Sequence, residues 1–305
     1  MKRIASIQDI SCIGKCSQTI ALPIISAMGI EVSVIPTSIL SAHTMFPGFT
    51  YNDLIDEMKP IMKHWKTLNV HFDGILTGYL GSIQHIRIIE EFYDMFTTDD
   101  TTIVVDPVFG DNGKIYTGFD DEYANEIKSL CNRAHIIVPN VTEAAIMSGI
   151  PYETDYDMTY IHELLDKLTA TGAPNIIITS IRRDNDNGII ARLSDGETFE
   201  YFRPHIDSVF HGTGDLFTST LTGALIRGLD IRTSIRLAVD YTALTLERTL
   251  QNNTHNWYGI DFETTIPDLI NNLTSALATL SALTQCDPRG ALLLTRTISK
   301  KFPSK

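Results

Sequence analysis

Thr102-Ile103-Val104-Val105-Asp106-Pro107-Val108 is the stretch from which the fold can be read. Its first four residues are dominated by β-branched side chains with no polar alternation, the mark of a strand buried on both faces. Apolar residues at helical spacing flank it, from Gln84 to Phe96 before and from Asp121 to Ser129 after. The same alternation recurs outward in both directions. Short strand-like runs lie at Ile4 to Ile7, Val32 to Pro36, Gly74 to Thr77, Ile136 to Val138 and Ile176 to Thr179. Between them lie helical patterns from Thr19 to Met28, Thr142 to Ser148 and Asp157 to Thr171. A βαβ series of this kind predicts an α/β fold: a central, mainly parallel sheet between two layers of helices, with strand C-termini facing a common crevice. Gly188 to Leu193 and Glu197 to Phe202 surround the turn Ser194-Asp195-Gly196, which predicts an antiparallel hairpin late in the sheet. Beyond it the chain turns helical, over Leu216 to Arg227, Ile231 to Gln251 and Ile266 to Leu283.

Composition narrows the classes. At 305 residues, with 43% hydrophobic and 20% charged residues, the chain supports one large core, expected over 1–286, followed by a short tail over 287–305 that ends in basic residues. A net charge of −13 opposes adhesion to phosphate backbones, so no nucleic-acid partner is expected. Met1 to Asp9 lacks the apolar h-region of a secretory signal, and no apolar run approaches the roughly 20 residues that span a bilayer. A cytoplasmic location without a membrane partner is the expectation. Cys12, Cys16, Cys131 and Cys286 show no paired spacing, so neither a structural zinc site nor a disulfide framework is indicated.

The chemistry-bearing stretch is His211-Gly212-Thr213-Gly214-Asp215-Leu216-Phe217-Thr218-Ser219, a glycine-rich turn running into a helix. The first amides of a helix have no intrahelical partner and point at whatever occupies the turn. Asp215 beside those donors should sit as a stabilised carboxylate able to accept a proton from a hydroxyl. An ordinary capped junction has the same pattern, so the strand ends must decide. They carry Asp9 after the first strand, Gly78-Tyr79 after Thr77, Asp106 after Val105, Asn140 and Glu143 after Val138, and Ser180 after Thr179. One polar residue there is a turn or a cap; the recurrence points to a shared site.

Seven fragments in order resemble the ribokinase-like superfamily and, within it, the pyridoxal (vitamin B6) kinases. They are Ser6-Ile7-Gln8, Leu40-Ser41-Ala42-His43-Thr44, Leu76-Thr77-Gly78-Tyr79, Asp106-Pro107-Val108-Phe109-Gly110-Asp111, Pro139-Asn140-Val141-Thr142-Glu143, Thr179-Ser180 and Gly212-Thr213-Gly214-Asp215-Leu216-Phe217, spread over roughly residues 3 to 250. The run Gln8 to Ser17 also resembles bacterial sequences labelled pyridoxamine kinase. The resemblance implies a three-layer αβα fold and transfer of the ATP γ-phosphoryl group to the 5′-hydroxymethyl of pyridoxal, pyridoxine or pyridoxamine. It implies Asp215 as the proton acceptor and Gly212, Thr213 and Gly214 as amide donors to the transferring group. Asp106 and Glu143 would hold Mg²⁺, partly through water, with Asp111, Asn140, Thr179, Ser180 and Thr213 completing the ATP site. Asp9, Thr44 and Tyr79 match substrate-contacting positions, with His43 adjacent as either a ligand or a packed histidine. A homodimer is implied as well, although the apolar positions Ile20, Ile24, Ala27 and Met28 serve equally as interface or core.

Two departures stand out. Asp9 replaces the Ser of many pyridoxal kinases, giving an acceptor that suits a protonated ring nitrogen or the ammonium of pyridoxamine. Val138 replaces a frequent Thr before Pro139-Asn140, which removes a side-chain oxygen and counts against activation by a monovalent cation. The loop from Ser11 to Ser17 reads equally as a flexible cover or as a simple β-to-α connection. Two other functions fit the pattern. Hydroxymethylpyrimidine kinases share the fold but commonly carry Cys where Asp215 stands, and a non-catalytic B6- or nucleotide-binding protein would not need Asp106, Glu143 and Asp215 together.

Overall fold

The computed structural model describes residues 1–207 and 210–286, and the tail expected over 287–305 lies outside them. The chain begins with β1 (Arg3–Ser11), α1 (Gln18–Ala27), β2 (Glu31–Leu40), β3 (Tyr51–Asp53), α2 (Ile55–Thr67), β4 (Gly74–Thr77), α3 (Ile83–Phe96) and β5 (Thr102–Val105). A two-stranded ribbon, β6 (Gly110–Asp111) with β7 (Lys114–Ile115), leads to α4 (Asp121–Arg133), β8 (Ile136–Ile137), α5 (Val141–Ser148) and α6 (Met158–Leu168). The rest comprises β9 (Asn175–Arg183), β10 (Asp186–Arg192), β11 (Thr198–Pro204), α7 (Thr213–Ile226), α8 (Ile231–Gln251) and α9 (Ile266–Cys286).

Nine strands form one sheet in the order β11-β10-β9-β8-β5-β4-β1-β2-β3. The six strands from β9 to β2 in that order run parallel, and antiparallel strands close both ends, β10–β11 at one edge and β3 at the other. The expected late hairpin is therefore an edge of the sheet. Period-2 alternation along the strands explains the layers. Ile7, Ile75, Ile103, Val105 and Ile178 face one cluster, packed with Met58 and Met62 of α2, Phe92 of α3, Ile127 of α4 and Leu164 of α6. Ile4, Leu76, Val104 and Ile177 face the other, packed with Ile20 and Ile24 of α1, Leu221 of α7, Ala238 of α8 and Leu269 of α9. Ile20, Ile24 and Met28 are at most 1% exposed, which makes that apolar face core.

Three local features depart from the sequence reading. Helix α2, a segment the sequence reading leaves unassigned, carries an apolar stripe of Ile55, Met58, Ile61, Met62 and Trp65 packed on the first cluster, and contains Pro60; acidic residues in its first turn and His64 and Lys66 in its last suit the helix dipole. Strand β1 continues past Ile7, so Asp9 lies inside the strand, where the register against β2 shifts between Gln8 and Ile10. Ser180 likewise lies inside β9. Gly188 pairs with Ile181 and Ile190 with Ile178, so Thr179 and Ser180 together oppose Ile189, and Ser180 takes φ +60°. That is a β-bulge: an extra residue in a left-handed conformation re-aims the strand end.

Candidate active site

The parallel strands deliver their C-terminal residues to one end of the sheet, and α7 arrives there from the opposite layer. Gly212 caps α7 at φ +86°, and a side chain at that position would run into the carbonyl of Lys15. Only glycine meets both demands. Asp215 follows in the first turn of the helix, in a cleft it shares with Gln8, Thr77, Gly78, Asp106, Thr218 and Ser219. The backbone amides of Ser17 and of Asp215 itself donate to the Asp215 carboxylate. These bonds do not hold its pKa down as the helix start alone predicts. Burial outweighs them and, with Asp9 nearby, pushes Asp215 up to about 6. The group is thus ionised at neutral pH and poised close to it, where a general base works best.

Asp106 leaves the end of β5 and accepts a hydrogen bond from Thr218 Oγ1 at 2.8 Å. Thr218 stands three residues after Asp215, one turn along the same helix face. That i, i+3 spacing is legible in the sequence. Burial drives the Asp106 pKa well upward, reinforced by the charges of Glu143 and Asp215. Glu143 is 2% exposed and both of its oxygens are engaged. Oε1 accepts from the Phe109 amide at 2.9 Å and the Gly110 amide at 3.4 Å, and Oε2 from the Asn140 amide at 3.0 Å. Asn140 returns the bond, its Oδ1 accepting from Glu143 N–H at 3.0 Å, to complete a capping box at the start of α5. Its Nδ2 donates to the Gly110 carbonyl at 2.8 Å, so both ends of the Asn140 side chain hold the protein together. Burial pushes Glu143 to about 7 despite three amide donors.

No Lys or Arg among the described residues bonds to Asp106, Glu143 or Asp215, so no cation offsets the burial that raises all three pKa values. Nor do three His, Cys, Asp or Glu side chains close into a metal cage among them. An oxygen-rich, cage-free arrangement suits Mg²⁺, which keeps waters and leans on phosphate oxygens. Asp106 accepts from Thr218 Oγ1 and from the Val108 amide and keeps acceptor capacity to spare, whereas both Glu143 oxygens are occupied by amides.

Asp111 is exposed in β6, bonded to Asn112, and Thr179 joins Asn140 through a parallel bridge, with its amide on the Pro139 carbonyl at 2.9 Å. Thr213 is half-buried and Gly214 exposed at the start of α7. On the other side of Asp215 lies Asp9, 5% exposed, accepting from Ser11 Oγ at 3.0 Å and from the Ser17 hydroxyl, with burial raising its pKa. Tyr79 is half-buried, its phenol pushed up to about 12 by burial and by neighbouring Tyr51 and Asp9. His43 packs on His211 with centroids 4.4 Å apart and the rings tilted at 44°. Burial and the neighbouring His211 lower the His43 pKa to about 4, and its Nδ1 accepts from the Met45 amide at 3.2 Å, so the neutral ring carries its proton on Nε2. Thr44 is exposed beside it.

Sequence reasoning passed over Gln8, Ser17, His211 and Thr218, residues that look like strand, loop or helix filler until the chain folds. Cys16 is buried beside Asp215 and Asp9, its thiol driven far up by burial and by those charges. It is therefore a packed, unreactive thiol.

The phosphomethylpyrimidine kinase family model matches residues 60–258. A Bacteroides thetaiotaomicron structure, described as a candidate phosphomethylpyrimidine kinase in a form with pyridoxal, is 38% identical, with a TM-score of 0.83 over 88% of this chain and 95% of that one. Pyridoxal kinase from Lactobacillus plantarum is 30% identical, with a TM-score of 0.82 over 89% of this chain and 97% of that one. Pyridoxal kinase of Dictyostelium discoideum is 29% identical over 83% of this chain and 87% of its own length. This chain belongs to the phosphomethylpyrimidine kinase family, among the pyridoxal kinases of the ribokinase-like superfamily.

Proposed function

We propose that this chain is a vitamin B6 kinase that transfers the γ-phosphoryl group of ATP to the 5′-hydroxymethyl of pyridoxal, pyridoxine or pyridoxamine. The observation that carries the reading is Asp215: a carboxylate poised near neutrality at an amide-rich helix start, sharing a cleft with Asp106. In the reaction the hydroxyl oxygen bonds the γ-phosphorus as the bond to the β-phosphate oxygen breaks. Asp215 takes the hydroxyl proton, and ADP leaves. The amides of Gly212, Thr213 and Gly214 meet the charge on the transferring group. Asp9, Thr44, Tyr79 and His43 form the vitamer side, and Asp111, Asn140, Thr179 and Ser180 the nucleotide side. Bound Mg²⁺, held by Asp106 directly and by Glu143 through water, would neutralise phosphate charge. The absent side-chain oxygen at Val138 argues against a monovalent-cation requirement.

The reading extends to a single domain over 1–286, a homodimer and a cytoplasmic location; sedimentation and fractionation test the last two. No helix of the described residues is long and apolar enough to cross a membrane. Hydroxymethylpyrimidine phosphorylation is the second reading, favoured by the description of the matching family model. Turnover of pyridoxal, pyridoxine, pyridoxamine and hydroxymethylpyrimidine, side by side with Mg-ATP, separates the two. A preference for hydroxymethylpyrimidine overturns the first reading, and no turnover of any of them overturns both.

A further inference from the structure

We infer that Lys15 is a positioning residue that holds the vitamer half of the site in register, an inference that rests on the kinase reading above. The loop after β1 touches His43 and Asp9 of that half, together with Gly212 and Asp215 of the catalytic turn. Gly14 packs so closely on His43 that a Cβ there would lie 2.7 Å from the His43 Cβ. The Lys15 carbonyl lies against Gly212 in the catalytic turn. The Ser17 amide donates to Asp215 and its hydroxyl to Asp9, from a residue in the left-handed region at φ 48°. Thr19 ties the loop internally, its hydroxyl reaching the carbonyls of Gly14 at 3.0 Å and Cys16 at 2.7 Å.

The side chain of Lys15 anchors this loop elsewhere. Its Nζ donates to Asp261 at 2.8 Å and Glu263 at 2.9 Å, residues almost 250 positions away, and lies 5.9 Å from the centre of the Phe262 ring. The Lys15–Asp261 pair is buried, with 13% and 9% of the two side chains exposed, whereas Glu263 is 54% exposed. Asp261 is fixed in turn by Asn252 Nδ2 at 2.7 Å, and its own amide donates to Thr249 Oγ1 at 2.9 Å, which roots the anchor in α8. Gly259 lies against the Lys15 stem, where a Cβ would come 2.6 Å from the Lys15 Cβ. One buried charge pair thus links α8 to the loop that orients Asp215, Asp9, His43 and Gly212. None of these contacts reaches Asn140, Glu143 or Thr179. The loop is clamped, not a freely moving cover.

The test compares steady-state constants for vitamer and for ATP in Lys15→Met, Lys15→Arg, Asp261→Asn and the Lys15→Met/Asp261→Asn double variant. Because a small displacement of reacting groups costs up to about 10²-fold, Lys15→Met should lower kcat/KM for the vitamer at least about tenfold while KM for ATP stays within about twofold. Lys15→Arg should restore most of the loss. Asp261→Asn should match Lys15→Met, and the double variant should be no worse than either single one. If Lys15→Met does not fold because Asp261 is left buried and unpaired, the double variant, which removes both charges, gives the comparison. A vitamer kcat/KM near that of the unaltered protein, or vitamer and ATP constants that worsen together, would overturn the inference alone. Absence of turnover in the unaltered protein would overturn the kinase reading and the inference with it.

Discussion

Asp215→Asn should remove activity and add stability, and the two effects have separate magnitudes. In the fold Asp215 is raised from 3.8 to about 6, so its ionised form is disfavoured relative to the unfolded chain. Two units at about 1.4 kcal/mol each set a ceiling of about 3 kcal/mol; screening by water at a half-buried side chain brings this to about 1–2 kcal/mol. The sign follows from which state holds the proton. A carboxyl with a raised folded pKa destabilises the fold when ionised, so the burden is absent below about pH 4, grows between about pH 4 and 6, and is constant above. The neutral amide escapes it. For a chain of this size the gain corresponds to a Tm rise of about 2–4 °C at pH 7.5, shrinking toward zero near pH 4. Loss of the proton acceptor should lower kcat by about 10²–10⁴. In the unaltered enzyme, kcat/KM should fall about tenfold from pH 7 to pH 5 as a group of pKa about 6 protonates. Calorimetric melts across pH, paired with coupled ADP-release kinetics, check all three. An Asn variant that melts at or below the unaltered Tm at pH 7.5, or that keeps more than a tenth of kcat, would refute the reasoning.

Four further outcomes are expected. Gly212→Ala forces a side chain into a left-handed position against the Lys15 carbonyl; kcat should drop more than about tenfold and Tm should fall, and a near-normal variant would contradict the close approach. Thr218→Val strips Asp106 of its hydroxyl donor, and since a bond to a charged group is worth about 1.5–3 kcal/mol, kcat/KM for ATP should fall at least about tenfold while the vitamer KM holds. Chelation of divalent ions should abolish turnover and added Mg²⁺ should restore it; activity that persists in excess chelator would exclude the assigned role of Asp106. Asp9→Ser should change the relative turnover of the three vitamers, because a buried acceptor of charge is replaced by a hydroxyl, and unaltered ratios would count against a charge-reading role.

The central strands were legible because burial on both faces leaves a compositional trace: Gly74–Thr77 and Thr102–Val105 have the bounds their β-branched runs predict. The hairpin and α8 were legible for similar reasons of turn chemistry and spacing. Helix α2 is less legible: Ile55, Met58, Ile61, Met62 and Trp65 recur at helical spacing, but the internal Pro60 reads as a break. Asp9 and Ser180 look like residues beyond their strands because polar side chains end apolar runs, yet backbone pairing carries both strands past them. At the site, residue types pointed to Asp106, Glu143 and Asp215, but not to their partners. That the Phe109 and Gly110 amides bond Glu143, or that Ser17 donates to Asp215, depends on contacts between segments about 30 and 200 residues apart, which no local pattern encodes, whereas the Asn140–Glu143 capping box is a local spacing. The upward direction of the Asp215 shift, against the helix-start expectation, is illegible for the same reason: the helix start is visible in sequence, whereas desolvation is not.

The carboxylate cluster also bears on how fast nucleotide reaches the enzyme. Asp215 and Glu143 have no basic partner among the described residues and gain charge as pH rises through about 6 and about 7, the His43–His211 pair is shifted toward neutral, and the chain carries −13 overall. An incoming polyphosphate therefore travels up a repulsive field. Association should accelerate as ionic strength rises and the field is screened over about 10 Å at 0.1 M, the reverse of an electrostatically steered encounter.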